Sequence, residues 1–282
     1  MAGYQTYEAR ADAQRAAALA ATTSPFTIEV RFLGGLTDRQ QAAFTAAADR
    51  WTKMIVGDLP TATVDNEAID DVLILAQGSD IDGPGRILGQ AGPTDLRPES
   101  AGPAAFTPAK GVMSFDTADL ANMEADGTLN DVITHEMGHV LGIGTIWKVK
   151  DLLRGEGTQN PTFAGPGAVT EYQKLRGAGD RRQVPVENTG GPGTREGHWR
   201  ESVFRNELMS GFIAATGNPL SRMTVASLAD IGYQVDLDAA EPYQLPDLAA
   251  LADQGELLAR AAPVDYATVL PVIPRILPAD SV

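Results

Sequence analysis

The chain contains no cysteine. That excludes disulfides, thiolate metal sites and cysteine nucleophiles together, so a bound transition metal must be held by histidine and carboxylate. Histidine is itself scarce, with three in the whole chain. No apolar run approaches the length of a membrane helix, about 20 residues, and no membrane span is expected. Basic residues are outnumbered, 22 against 37 acidic, and the net charge of -15 would repel nucleic acid and anionic membrane surfaces. No nucleic-acid partner is expected. The opening stretch "MAGYQTYEARADAQRAAALAATTSPF" places acidic residues early and has only a short alanine-rich patch, unlike a secretory signal. It reads as a surface helix. Export by a route without a visible signal peptide is the favoured location, with a cytoplasmic one, or a chain beginning after a removed leader, as alternatives.

What is present is the composition of a soluble globular protein: 43% hydrophobic and 21% charged over 282 residues, enough to bury a sizeable core. "FTIEVRFLG" at 26–34 alternates apolar and polar positions and reads as a strand. Thr37 is an N-cap candidate for an amphipathic helix over 37–57, with Ala42, Phe44, Ala47, Trp51, Met54 and Ile55 on one face and Gly57 as the stop. "DDVLILAQG" reads as a buried strand. The Gly- and Pro-rich stretch after it reads mostly as loop, with short strand candidates at 86–89 and 104–107. "GVMSFD" at 111–116 is another short strand. A further helix follows in "TLNDVITHEMGHVLGIG". Residues 144–197 are glycine-rich and irregular, apart from a helical piece in "NPTFAGPGAVTEYQKL", and a connection of that length usually serves function. Regular structure returns with a helix over Ser221–Asp230. Residues 236–282 form an acidic, proline-containing extension that either wraps the domain or leads into a neighbour.

The chemistry concentrates in "HEMGHVLGIG", residues 135–144. On a helix, His135 and His139 lie one turn apart on one face, so both imidazoles can reach one metal ion. Glu136 is placed to accept a proton from a metal-activated water without ligating the metal. Flanking Val132, Ile133, Met137, Val140 and Leu141 would bury the helix and fix its ligands. A catalytic zinc takes three protein ligands and keeps a position open. The extended form of the motif would put a third histidine six residues after His139, with Gly142 making the turn, but Thr145 stands there. The remaining histidine is His198, in "REGHWRESVFRNELMSGF". Glu196, Glu201 and Glu207 are alternative oxygen ligands. "SDIDGPG", with Asp80 and Asp82, offers a calcium option with too few ordered donors to support it, and a plain turn is the simpler reading. The acidic cluster Asp116, Asp119, Glu124, Asp126 and Asp131 precedes the motif helix, where capping by Thr128 or Asp126 accounts for it.

At "HEMGHVLGIG", "GHWRES", "NELMSGF" and "LADIGYQV" the chain resembles the leishmanolysin family of zinc endopeptidases, a metzincin branch in which a long insertion separates the motif glycine from the third histidine. The resemblance runs from about Gly111 to Val235 and extends back to Phe26. It implies that His198 is the third zinc ligand, that Gly142 makes the turn ending the active-site helix, and that Met209 is the methionine of the turn beneath the metal. It implies further a substrate cleft below an antiparallel edge strand, for which "GVMSF", with Val112, Met113 and Ser114, is the candidate. A peptide would bind there by adding a strand. The parasite members are disulfide-rich surface proteins, whereas this cysteine-free chain looks like a smaller, bacterial-type relative.

The expected fold is therefore α+β and metzincin-like. Residues 1–25 are a helical segment or propeptide remnant. Residues 26–143 form an N-terminal subdomain with a twisted sheet and two long helices. Residues 144–235 form a largely irregular C-terminal subdomain with the third ligand, the Met-turn and a C-terminal helix, and 236–282 are the extension. The expected function is a zinc-dependent endopeptidase acting on protein or peptide substrates, with one Zn2+ on His135, His139 and His198 and with Glu136 as base. The alternatives are a zinc-stabilised binding module without activity and a peptidase with a glutamate third ligand.

Overall fold

The structure is a computed structural model. It describes residues 4–247, apart from 86, 178, 192, 214 and 215, and residues 269–282. In chain order the regular elements are β1 (Gln5–Arg10), α1 (Ala13–Ala20), β2 (Thr27–Gly34), α2 (Asp38–Met54), β3 (Ala62–Val64), β4 (Glu67–Ile69), β5 (Val72–Ser79), β6 (Gly89–Leu96), β7 (Pro108–Asp116), α3 (Thr117–Asp126) and α4 (Leu129–Val140). Then come β8 (Leu153–Arg154), β9 (Thr162–Phe163), α5 (Pro166–Arg176), β10 (Val184–Pro185), α6 (Glu201–Phe204), α7 (Arg222–Asp230), β11 (Val269–Pro271) and β12 (Arg275–Ile276). The class is mixed α+β, as expected.

Among the described residues the main sheet runs β1-β2-β5-β7-β6-β11, with β12 also on β6. β2, β5 and β7 are mutually parallel, and β6 lies antiparallel to β7. Helices α2 and α4 pack against each other and against the sheet. The sequence explains the start of α2: Thr37 Oγ1 accepts from Gln40 N–H at 3.2 Å while Gln40 Oε1 accepts from Thr37 N–H at 2.9 Å, a reciprocal cap. Phe44, Ala47, Trp51, Met54 and Ile55 are buried as the periodicity requires, whereas Ala42 is exposed and Ala43 takes its place inward. Helix α4 is buried on every side. Val132, Ile133, Met137 and Val140 each contribute about 1.5–3 kcal/mol by leaving water, which fixes the helix that carries the motif.

Three expectations are corrected. The opening stretch is a helix only over α1; Gln5–Arg10 instead pair antiparallel with β2 and form the far edge of the sheet. The region read mostly as loop holds β6, eight residues long, and its Gly89, Gly92 and Pro93 hide it from a propensity reading. Of the candidate strand at 86–89, Arg86 lies outside the described residues and only Gly89 is in a strand. Residues 104–107 end a 3-10 turn and start the return at Phe106, whose φ is 64°. The third correction bears on function. β7 has β5 on one side and β6 on the other, so Val112, Met113 and Ser114 have both backbone edges paired and cannot add a peptide strand. The antiparallel strand nearer the edge is β6.

Helix α3 was not expected. Asp116 caps it through Ala118 N–H, and Asp126 accepts from Thr128 N–H and Oγ1, so the acidic cluster shapes its own helix and the turn into α4. Asp116 also takes the amides of Ile81, Asp82 and Gly83, and Asp80 accepts from Thr117. "SDIDGPG" is thus a loop held by Asp116. Of the extension, residues 248–268 lie outside the described residues, and 269–282 return to wrap the sheet beside β6.

Candidate metal centre

The motif helix ends where its hydrogen bonds do. Gly142, at φ 109°, turns the chain out of α4, and Thr145 Oγ1 donates to His139 O at 2.7 Å. The position where a third histidine was sought is therefore occupied by a C-terminal cap. Gly144 follows at φ 77°, and a Cβ there would lie 2.0 Å from Gly197 O. The chain leaving the helix thus touches, backbone to backbone, the chain returning 53 residues later, next to His198.

That return is tightly organised. Glu187 N–H donates to His198 O (2.8 Å), Glu196 N–H to Glu187 O (3.0 Å), and Trp199 N–H to Met209 O (2.9 Å). The buried Glu187 carboxylate gathers the amides of Asn188, Thr189 and Glu201. Trp199 stacks on Trp147 with ring centroids 4.7 Å apart and gives its indole N–H to Thr224. Residues 207–210 close a tight turn, Ser210 N–H to Glu207 O at 3.0 Å. Its Met209 is fully buried against α4: a Cβ on Gly138 would meet Met209 Sδ at 2.8 Å and Trp51 Cζ2 at 2.9 Å. Trp51 in turn donates to Thr134 O at 3.0 Å.

These elements bring the three histidines together. Their Nε2 atoms form a triangle with sides of 3.0, 3.0 and 2.9 Å. Each Nδ1–H donates to a backbone carbonyl: His135 to Leu208 O (2.7 Å), His139 to Ile143 O (2.8 Å) and His198 to Thr194 O (2.8 Å). A carbonyl can only accept, so each neutral ring carries its proton on Nδ1 and presents a bare Nε2 lone pair to the other two. Three converging lone pairs repel, and a shared cation is the group that this donor set fits. Burial, then the charge of a neighbouring imidazole, holds all three rings at about 3, well below the ordinary histidine range. They are neutral at any physiological pH, the state in which an imidazole can offer a lone pair to a metal.

Glu136 lines the same cavity of about 400 Å³ as the three histidines. Burial alone pushes its carboxyl up to about 8, and a cation alongside acts in the opposite sense. Glu196, Glu201 and Glu207 do not join the three-nitrogen group. Glu207 is spent on Met209 N–H, Ser221 and Thr224, and Glu196 accepts from Gly157 N–H. Among the described residues the other cluster close enough to hold an ion is Asp58, Asp70 and Asp71; Asp80 and Asp82 form none. The sequence reading missed the roles of Thr145 and Glu187 and the cavity wall of Leu88, Ala91, Val269, Pro271 and Val272. Only the Gly-Pro interruption inside β6 hinted at an edge.

A buried histidine triad beside a glutamate, on an α+β scaffold, is the class of site that could hold a metal ion next to a carboxylate. The model of the leishmanolysin family, peptidase M8, matches residues 104–250, and the chain belongs to that family. Leishmanolysin of Leishmania major is 30% identical over 142 residues, covering 48% of this chain and 23% of that protein. Leishmanolysin of Leishmania donovani is 29% identical over 143 residues, 48% of this chain and 24% of that protein. The leishmanolysin homolog of Crithidia fasciculata is 27% identical over 133 residues, 45% and 20% respectively. The match spans about a quarter or less of these relatives' length. The three histidines that could hold a metal ion lie within the matched stretch. No helix among the described residues is long and apolar enough to cross a membrane.

Proposed function

We propose that the chain is a zinc endopeptidase in which His135, His139 and His198 hold one Zn2+ and Glu136 is the general base. The observation that carries this is the triangle of Nε2 lone pairs, each fixed by an Nδ1–H spent on a carbonyl, with Glu136 in the same cavity. Zinc in that site supplies Lewis acidity for the scissile carbonyl and for water. Glu136 takes the proton of the attacking water and then delivers it to the leaving amine.

In this reading Gly142 makes the turn ending the active-site helix, and Met209 is the methionine of a Met-turn that sets the floor under the metal through its contact with Gly138. The catalytic unit divides into 26–143, which carries the sheet and α4, and 144–235, which carries His198, Met209 and α7. Residues 1–25 and 236–282 are additions to it. The substrate strand is assigned to β6, whose Ala91 lines the cavity together with Leu88 just before the strand.

The test is zinc stoichiometry together with hydrolysis of an unfolded protein for wild type, Glu136→Ala and His198→Ala. Glu136→Ala is expected to keep zinc and lose at least a hundredfold in rate, about what a general base contributes. His198→Ala is expected to lose both zinc and rate. Tight zinc and full activity in His198→Ala would refute the ligand set. Zinc without cleavage in wild type would leave the binding-module alternative.

A further inference from the structure

The edge of β6 nearest the cavity is already paired. Val269, Leu270 and Pro271 lie parallel to Gly89, Gln90 and Ala91, and Arg275 and Ile276 continue along Asp95 and Leu96. Val269, Pro271 and Val272 line the same cavity as the histidines and Glu136. On its other side this segment abuts the loop leading to His198, where a Cβ on Gly193 would lie 3.0 Å from Val269 O; on the β6 side, one on Gly92 would lie 3.2 Å from the Val272 side chain. We propose that residues 269–277 are a built-in competitor for the substrate strand, occupying the β6 edge until a polypeptide displaces them. This rests on the peptidase reading and adds its regulation.

The manner of attachment supports displacement. Core burial is confined to Leu277, whose N–H donates to Leu96 O at 2.9 Å. Leu270 and Ile276 are exposed, and Ile273 is 93% exposed. Arg275 bridges Asp65 at 2.8 Å and also Asp95, on a side chain that is itself exposed. Backbone pairing, an exposed Arg275 shared between exposed Asp65 and buried Asp95, and one buried leucine give a segment docked with little apolar burial, at the low-stability end of the fold. Pro271, Pro274 and Pro278 lack N–H donors, so the segment ends the sheet without recruiting another strand.

Competition has a kinetic signature: the apparent KM is the intrinsic KM divided by the fraction of sites open, and kcat is unchanged. With the full chain and a ten-residue peptide substrate, Arg275→Ala is expected to lower KM roughly three- to tenfold at constant kcat. The chain has no cysteine, so Gln90→Cys with Leu270→Cys, both outward-facing and opposite in register, makes a reducible lock. The oxidised, mass-verified form is expected to show KM raised about tenfold or more, restored by reduction. A second readout needs no catalysis: a labelled peptide of sequence VLPVIPRILP is expected to bind Glu136→Gln, Arg275→Ala more tightly than Glu136→Gln. If the binding difference appears but nothing is cleaved, the peptidase reading fails and the competitor stands. Equal KM in Arg275→Ala and wild type, with no effect of oxidation, overturns the competitor.

Discussion

Gly144→Ala isolates the contact that returns His198 to the helix. Two costs are expected. The first is an alanine at φ 77°, about 1–2 kcal/mol for the left-handed region. The second is the overlap with Gly197: a Cβ would stand 2.0 Å from its carbonyl oxygen and 2.7 Å from its carbonyl carbon. Both atoms are backbone, so no rotamer change relieves the clash, and separating the strands adds about 1–3 kcal/mol. Gly83 provides the control. Its φ is 79° and nothing lies within 4 Å of the position a Cβ would take, so Gly83→Ala carries the first cost alone. Relative to it, Gly144→Ala is expected to lose a further ~1–3 kcal/mol in chemical unfolding. Zinc affinity, measured by chelator competition, is expected to fall about ten- to a hundredfold, the usual effect of disturbing the support of a ligand. If the two variants unfold alike and bind zinc alike, the Gly144–Gly197 contact does not position His198 and the reasoning fails.

Two further outcomes follow from buried groups away from the centre. The Arg97 guanidinium is fully buried and donates to the carbonyls of Pro60, Asp70, Asp71 and Pro108; Arg97→Met strands those acceptors and is expected to cost about 3–5 kcal/mol in urea unfolding. A cost below ~1 kcal/mol would mean that water replaces the guanidinium. Burial pushes Asp71 up to about 7, against three hydrogen bonds from Thr27 and Leu59 that act the other way. Between pH 4 and 7 the unfolded chain has shed this proton while the folded chain keeps it. Stability linked to Asp71 is therefore full below about pH 4 and is lost as pH rises toward 7. Asp71→Asn should lack that fall, so the stability of the variant minus that of wild type should rise across this window, by on the order of 2–4 kcal/mol; a difference that is flat with pH would refute it.

How much was legible follows from the range of each signal. The N-cap and apolar face of α2, the alternation in β2, the apolar run of β5 and the His135–His139 spacing are contained within a few turns or residues, and each survived folding. The sequence by itself therefore determined the motif helix, two converging imidazoles with a glutamate between them, the absence of any thiol ligand, and an α+β class. Strand order has no such local code. β7 lies inside the sheet and not at its edge, and a strand, β6, stands where loop was expected, because an edge is defined by what pairs beside a strand, and the glycines and proline of β6 lower its propensity without preventing pairing. His198 is 59 residues from His139, and only the Gly144–Gly197 contact, the Trp147–Trp199 stack and the 207–210 turn bring its Nε2 within 2.9 Å. The sequence could name His198, but the tertiary structure alone brought its nitrogen to the other two and decided which strand borders the cavity and that the segment 269–277 pairs with it. In each case the deciding contact joins residues whose local sequence carries no mark of the partner.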